Sequence, residues 1–241
     1  MSLNTNQVKS FFERPFYLDH GRPVIQVRSL IINEMLKNVS FNRLLDLGCG
    51  DGSLSIPFLN RVKELTLVDF AERMISVARN NVPAELSSKV TFICSAIDEF
   101  SSHEKYDVVF CVGLLAHVPS LEDAVAKVAS SIKRDGVAII EFTPNPNPLG
   151  KLLFPYYWLR RKMSGNQTGY STNKIPLSTL LEMTSKNGLQ LKVLKRHYFP
   201  LPTMAWWPNR WIYNYSLFTM KTTMVSKFGT EHIMLFTKAE F

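Results

Sequence analysis

From residue 24 to residue 142 the chain alternates short apolar runs with stretches of helical periodicity, and this alternation limits the possible folds more than any other feature. VIQVRSLIINEML at 24–36 reads as a helix and RLLDL at 43–47 as a strand. SLSIPFLNRV at 53–62 reads as a second helix, with Pro57 near its first turn or at a kink. LTLVD at 65–69 is a strand, and AERMISVARNNV at 71–82 is a helix with Ala, Met, Ile and Val at helical spacing. VTFIC at 90–94 and YDVVFCV at 106–112 are further strands. LEDAVAKVASSI at 121–132 is a helix with Ser120 as its N-cap and Asp123 three residues on. A turn at Asp135-Gly136 leads into the strand VAIIEF at 137–142. Near-continuous apolar strands separated by helices imply a parallel sheet covered on both faces, an α/β architecture. The handedness of crossovers then restricts the strand order.

The pattern breaks at Pro144, where three alternate prolines in TPNPNP remove donors and restrict the preceding residues. An apolar, aromatic and basic stretch follows at 149–165, then a polar one at 166–174. A helix at 176–188 and a strand at 189–199 resume the alternation, a second insert fills 200–230, and 232–239 is a closing strand. Charge divides at the same place. Residues 1–143 hold 15 basic and 17 acidic side chains (−2), and residues 144–241 hold 13 and 3 (+10), which accounts for the formal +8. The asymmetry points to an anionic partner without choosing among nucleic acid, lipid head group and phosphorylated substrate.

Other classes fall away. No fixed-period repeat is visible, Met1 to Arg14 has no apolar run of signal-peptide length, and no 18-residue apolar stretch occurs. The greasiest late segment, 206–220, is interrupted by Pro208, Asn209, Arg210 and Asn214. Cys49, Cys94 and Cys111 are an odd, widely spaced trio, which fits free buried thiols in a reducing compartment better than disulfides or zinc. The expectation is a cytoplasmic protein.

The sharpest chemical signal is LLDLGCGDG at 44–52. A buried strand ends in Asp46, and Gly48, Gly50 and Gly52 turn the chain toward the next element, allowing positive φ and close approach of a ligand to backbone amides. The sixth place of a G-x-G-x-x-G pattern counted from Gly48 is Ser53, and no G-K-[ST] follows, so neither a dinucleotide fingerprint nor a P-loop is present. Asp69 ends the second strand, where an acidic side chain accepts both hydroxyls of a ribose or, alternatively, caps the helix starting near Ala71. Asp46 is costly to bury alone, so a ligand amine or backbone amides should satisfy it.

With these motifs in place the sequence resembles the class I S-adenosylmethionine-dependent methyltransferases, strongly over 40–143 and more loosely over 170–241. LLDLGCGDG and LTLVDFAERMISVARNN are similar to that family's first two motifs, and VTFICSAIDEF to the segment walling the adenine, with Ser95 where an acid is usual. The stretch 106–142 resembles its fourth and fifth strands with the helix between. The resemblance implies a Rossmann-like seven-stranded sheet, mostly parallel, with an antiparallel last strand. It also implies S-adenosyl-L-methionine as cofactor and S-adenosyl-L-homocysteine as product. Gly48 and Gly50 would face the methionine portion, Asp69 the ribose, Phe70 and Met74 the base, Ala96 and Ile97 the adenine edge, and Cys111 the sulfonium. The chain would be one methyltransferase domain over 1–241. Residues 1–30 would form an N-terminal lid, 40–143 the cofactor-binding core, and 144–175 with 200–230 the acceptor-side inserts. Tyr17 and Arg22 on the lid are candidates for the cofactor's carboxylate, Arg offering a bidentate fork, against the alternative of a solvated helix.

His117 follows the fourth strand at the sheet's carboxyl edge, where it is either a general base or a scaffold residue. His197 and His232 lie in strands and read as structural. FCVGLLAHV at 110–118 is similar to the matching stretch of ubiquinone-biosynthesis O-methyltransferases, in which two glutamates stand at the places of Gly113 and Ala116. Those acids are tied to a metal requirement in that branch, so no metal is expected here. Trp158, Trp206, Trp207, Trp211, Tyr156, Tyr157, Tyr213 and Tyr215, with Arg160, Arg161, Lys162 and Arg210, suit a flat or greasy small molecule, an anionic membrane surface, stacking on RNA, or plain packing of a lid with a solvated basic face. The expected activity is methyl transfer to a hydroxyl of a small molecule, lipid-like, aromatic or glycan. The alternatives are RNA methylation, N-methylation of an amino sugar, and a non-catalytic scaffold on a cofactor fold.

Overall fold

Seven strands form one sheet in the order β3-β2-β1-β4-β5-β7-β6, in a computed structural model that describes residues 22–144, 155, 172–199, 201, 204–222 and 229–238. The strands are β1 (Arg43–Leu47), β2 (Glu64–Asp69), β3 (Val90–Cys94), β4 (Tyr106–Cys111), β5 (Ile132–Phe142), β6 (Leu189–His197) and β7 (Glu231–Lys238). The helices are α1 (Arg22–Met35), α2 (Glu72–Asn81), α3 (Leu121–Ser131), α4 (Leu177–Lys186) and α5 (Asn209–Lys221). Neighbours from β3 through β5 pair in parallel, and β7 runs antiparallel to both β5 and β6. The α/β class, the seven strands and the antiparallel last strand all agree with the sequence reading.

Alternation along the strands divides the core. Leu44, Val108, Phe110 and Ile139 face one layer with Val27, Ile31 and Ile32 of α1, while Leu45, Val109, Ala138 and Ile140 face the other with Val125 and Val128 of α3. Each such side chain contributes roughly 1.5–3 kcal/mol on burial. Ser120 caps α3 by accepting from the Asp123 N–H, as expected.

Two elements differ from expectation. The helix expected over 53–62 is replaced by a 3₁₀ turn at Ile56–Phe58 with irregular turns on either side. Pro57 has no N–H to donate, and the hydrogen bonds around it run mostly three residues back: Phe58 to Ser55, Leu59 to Ile56, Arg61 to Phe58. The turn expected at Asp135-Gly136 lies inside β5 as a bulge. Ile132 pairs with Tyr106 and Val137 with Val108, so four residues loop out opposite one. The thiols are all free, but Cys94 is exposed rather than buried, because β3 is an edge strand.

Candidate active site at the carboxyl edge of the sheet

Chain order reverses between β1 and β4, and open α/β sheets bind ligands in the crevice at such a point. A cleft lies there. Its floor is Leu47, Gly48 and Val68, one wall is Asp69, Phe70, Ser95, Ala96, Ile97 and Asp98, and the other is Leu114, His117, Val118 and Pro119. Gly48, Asp69, Phe70, Ala96, Ile97 and His117 were all expected at a site, and the fold brings these six together. Sequence reasoning missed Leu114, Asp98, Val118 and Pro119. Their signal was faint, since each is an ordinary loop residue that lines the cleft only because β3 ends beside β2 and β4 beside β1.

The glycine turn is conformationally demanding. Gly48 sits at φ +74°, and a Cβ there would lie 3.0 Å from Leu114 Cδ1. The Gly48 and Cys49 N–H groups both donate to the Val68 carbonyl, tying the turn to β2. Asp69 fastens it further. One carboxylate oxygen accepts the Gly50 N–H at 2.9 Å and the other accepts the Ala71 N–H at 2.9 Å, where α2 begins. Asp69 thus ties the glycine turn to the start of α2, although the N-cap position itself is Ala71 and no side chain caps that helix.

Asp46 is buried beneath the same turn, and its Oδ2 has no hydrogen-bond partner among the described residues. Burial pushes its carboxyl up to about 7, the charges of Asp69 and Asp51 add to the rise, and the Ser55 hydroxyl opposes it. Met74 and Cys111 are fully buried and lie outside the cleft lining, Met74 on α2 and Cys111 in the layer with Leu45 and Val109. Burial also raises the Cys111 thiol far above its ordinary range. Tyr17 lies outside the described residues, and of Arg22 only the backbone is described, at the first position of α1.

His117 closes a 3₁₀ turn at Leu115–His117, and burial lowers its imidazole to about 4, so it is neutral at physiological pH. Asn173 braces that turn, donating from its side chain to the Leu115 and Val118 carbonyls and from its N–H to Ala116.

A second polar group lies farther along the edge. Arg28 of α1 donates from Nε to Glu141 Oε1 at 2.7 Å and from Nη2 to Glu231 Oε2 at 3.1 Å, and His197 Nε2 lies 3.1 Å from Glu141 Oε1. Burial works to raise Glu141, but Arg28 and His197 hold it below the usual range, while burial leaves Glu231 raised. Among the described residues, Glu141, His197 and Glu231 bring ligand atoms within 4.8 Å of one another. The Arg28 guanidinium already bridges the two carboxylates there. A lone Glu in the apolar run VAIIEF was the available signal, since such a charge needs a partner. His232 is lowered to about 4 by burial and, as expected, has its place in a strand.

In the late insert Trp207 packs edge-on against Tyr215 at 5.6 Å. Trp206, Trp211 and Phe218 are more than half exposed. Trp158, Tyr156, Tyr157, Arg160, Arg161 and Lys162 lie outside the described residues. Among the described residues no helix is long and apolar enough to cross a membrane.

Residues 44–136 match the family described as "Methyltransferase domain". The ubiquinone biosynthesis O-methyltransferase of Rickettsia canadensis (strain McKiel) is 27% identical over 180 residues, covering 73% of this chain and 74% of that protein. The protein of that name from Acinetobacter baylyi is 26% identical over 209 residues, covering 83% and 87%. Among solved structures, the N-methyltransferase NodS from Bradyrhizobium japonicum WM9, in complex with S-adenosylhomocysteine, aligns with a TM-score of 0.65 at 14% identity, covering 98% of this chain and 100% of that one. Magnesium protoporphyrin IX methyltransferase from Synechocystis PCC 6803 gives 0.62 at 17%, covering 97% and 93%. At such identities these likenesses concern the fold alone. Residues 44–136 thus match a methyltransferase domain, and the seven-stranded sheet with its antiparallel last strand is the one that the resemblance to class I S-adenosylmethionine-dependent methyltransferases implied.

Proposed function

We propose that the cleft between β1 and β4 holds S-adenosylmethionine and that the chain transfers its methyl group to a hydroxyl of a small molecule. The observation that carries this reading is the buried Asp46, whose Oδ2 has no partner among the described residues directly under the Gly48 turn. A cofactor amine is the complement such an oxygen calls for. Asp69 would receive the ribose hydroxyls, and Phe70, Ala96 and Ile97 would hold the base, with Asp98 at the same wall to accept from its exocyclic amine. Tyr17 and Arg22 remain the candidates for the carboxylate end. Met74 and Cys111 would act from behind the cleft, by packing.

When bound, S-adenosylmethionine supplies an electrophilic methyl group. The chain's own part is to align the acceptor, keep water out and offer a neutral imidazole. His117 lines the cleft uncharged, so it can hydrogen-bond an acceptor hydroxyl at neutral pH, and positioning supplies most of the rate. The O-methyltransferase names of the relatives support oxygen over nitrogen. Exposed Trp206, Trp211 and Phe218, with Arg210 and Lys221 in the same segment, support contact with an anionic membrane surface. The test is incubation with methyl-tritiated S-adenosylmethionine and pooled hydroxylated, amino-sugar and RNA acceptors. Label in an ether of a small acceptor is expected. Label confined to nitrogen or to RNA would overturn the assignment.

A further inference from the structure

The Arg28–Glu141–His197–Glu231 group lies outside the lining of the cleft. Glu141 is the penultimate residue of β5, and the pairing of Cys111 with Ile140 sets it level with Val112, one residue short of Gly113. Its two oxygens have unlike surroundings. Oε1 is engaged by Arg28 at 2.7 Å and His197 at 3.1 Å, whereas Oε2 is buried with no hydrogen-bond partner among the described residues. A carboxylate oxygen left so is rare in a folded chain and calls for an explanation. Gly113, exposed at φ +73°, lies over it. A Cβ there would stand 3.9 Å from Glu141 Oε2 and 3.8 Å from Arg28 Nη1. A glycine at 113 thus keeps a side chain off that oxygen, next to Leu114, which lines the cleft.

We propose that Glu141 Oε2 is the docking atom for the methyl acceptor, receiving a hydroxyl or ammonium donor of the small molecule in the space beside Gly113. The proposal rests on the methyltransferase reading and adds the acceptor's side of the site. What is offered is a carboxylate oxygen, which accepts a hydroxyl or ammonium donor and rejects an anion. A divalent cation is the competing occupant, but Arg28 sits between the carboxylates and repels one. Arg28 and His197 are positioning residues, fixing Oε1 so that Oε2 stays presented.

The experiment uses the full chain saturated with S-adenosylhomocysteine and follows binding of catechol, glucosamine and the donor-free ring veratrole by titration calorimetry. Wild type is expected to bind at least one of the two donor probes and to bind veratrole poorly. Glu141→Gln should weaken the donor probe about 10- to 100-fold while S-adenosylhomocysteine affinity is unchanged. Glu141→Asp keeps the charge but withdraws the carboxylate by one methylene, and it should show the same loss if Glu141→Gln fails to fold. Three outcomes overturn the proposal: wild-type affinity for the donor probes in both variants, veratrole binding as tightly as catechol, or no donor probe binding to wild type. A stoichiometric Mn²⁺ site that Glu141→Gln abolishes would overturn it too, by making the group a cation site. Failure of wild type to bind S-adenosylhomocysteine would instead sink the underlying cofactor reading.

Discussion

On the β1–β2 side of the sheet edge the buried carboxylate of Asp69 is answered by backbone, the N–H groups of Gly50 and Ala71. On the β5–β6 side the buried carboxylate of Glu141 is answered by side chains, Arg28 and His197, from elements 113 and 56 residues away. The first arrangement is local. Its partners lie 19 and 2 residues from Asp69, in one glycine turn and one helix start. The second exists only once α1, β5, β6 and β7 have met. A site built of backbone tolerates change in the side chains around it, whereas one built of matched charges fails when any member is removed.

The largest expected effect falls on the side-chain end. Arg28→Ala leaves Glu141 and Glu231 buried without their cation, and denaturant unfolding should show a loss of about 3–5 kcal/mol. A loss under about 1 kcal/mol, the range of exposed pairs, would break the contrast between the two ends. Asp69→Ala should cost about 2–4 kcal/mol through its two charge-assisted bonds, measured in the same way. Gly48→Ala forces a side chain into a left-handed backbone against Leu114, and should cost about 1–2 kcal/mol. Adding Leu114→Ala should return only the part due to contact.

Smaller effects follow from protonation. Asp46 is raised to about 7 in the free protein, so it is mostly protonated at pH 6 and mostly ionised at pH 8. A ligand ammonium prefers the ionised form, so S-adenosylhomocysteine affinity should rise about tenfold between pH 6 and pH 8, with proton release at the lower pH. The same raised value means that Asp46's contribution to stability declines as pH climbs from about 4 to about 7. His117, lowered to about 4 by burial, is neutral from pH 6 to pH 8. The pH profile of kcat should therefore show no step from His117 near 6.5.

The contrast also explains what the sequence could disclose. Strands β1 and β3 are legible to the residue, because the leucines of RLLDL and the Val, Phe and Ile of VTFIC form short apolar runs bounded by polar residues. The Asp46–Gly48–Asp69 arrangement is legible because its parts sit within one βαβ-like stretch whose spacing reflects contact. Pro57 was visible but its consequence was underrated: one missing N–H turns a would-be helix into 3₁₀ and turn. Arg28 and Glu231 carried no local signal, since nothing in their neighbours records a partner 203 residues away. His197 reads as structural from its strand alone, and only the fold sets it against Glu141.

Titration calorimetry with S-adenosylhomocysteine on wild type, Asp69→Asn and Glu141→Gln tests the account most directly. The account predicts one site per chain, at least about tenfold weaker in Asp69→Asn and unchanged in Glu141→Gln, because the two ends of the edge hold different molecules. No binding to wild type, or binding lost in Glu141→Gln and intact in Asp69→Asn, would contradict it.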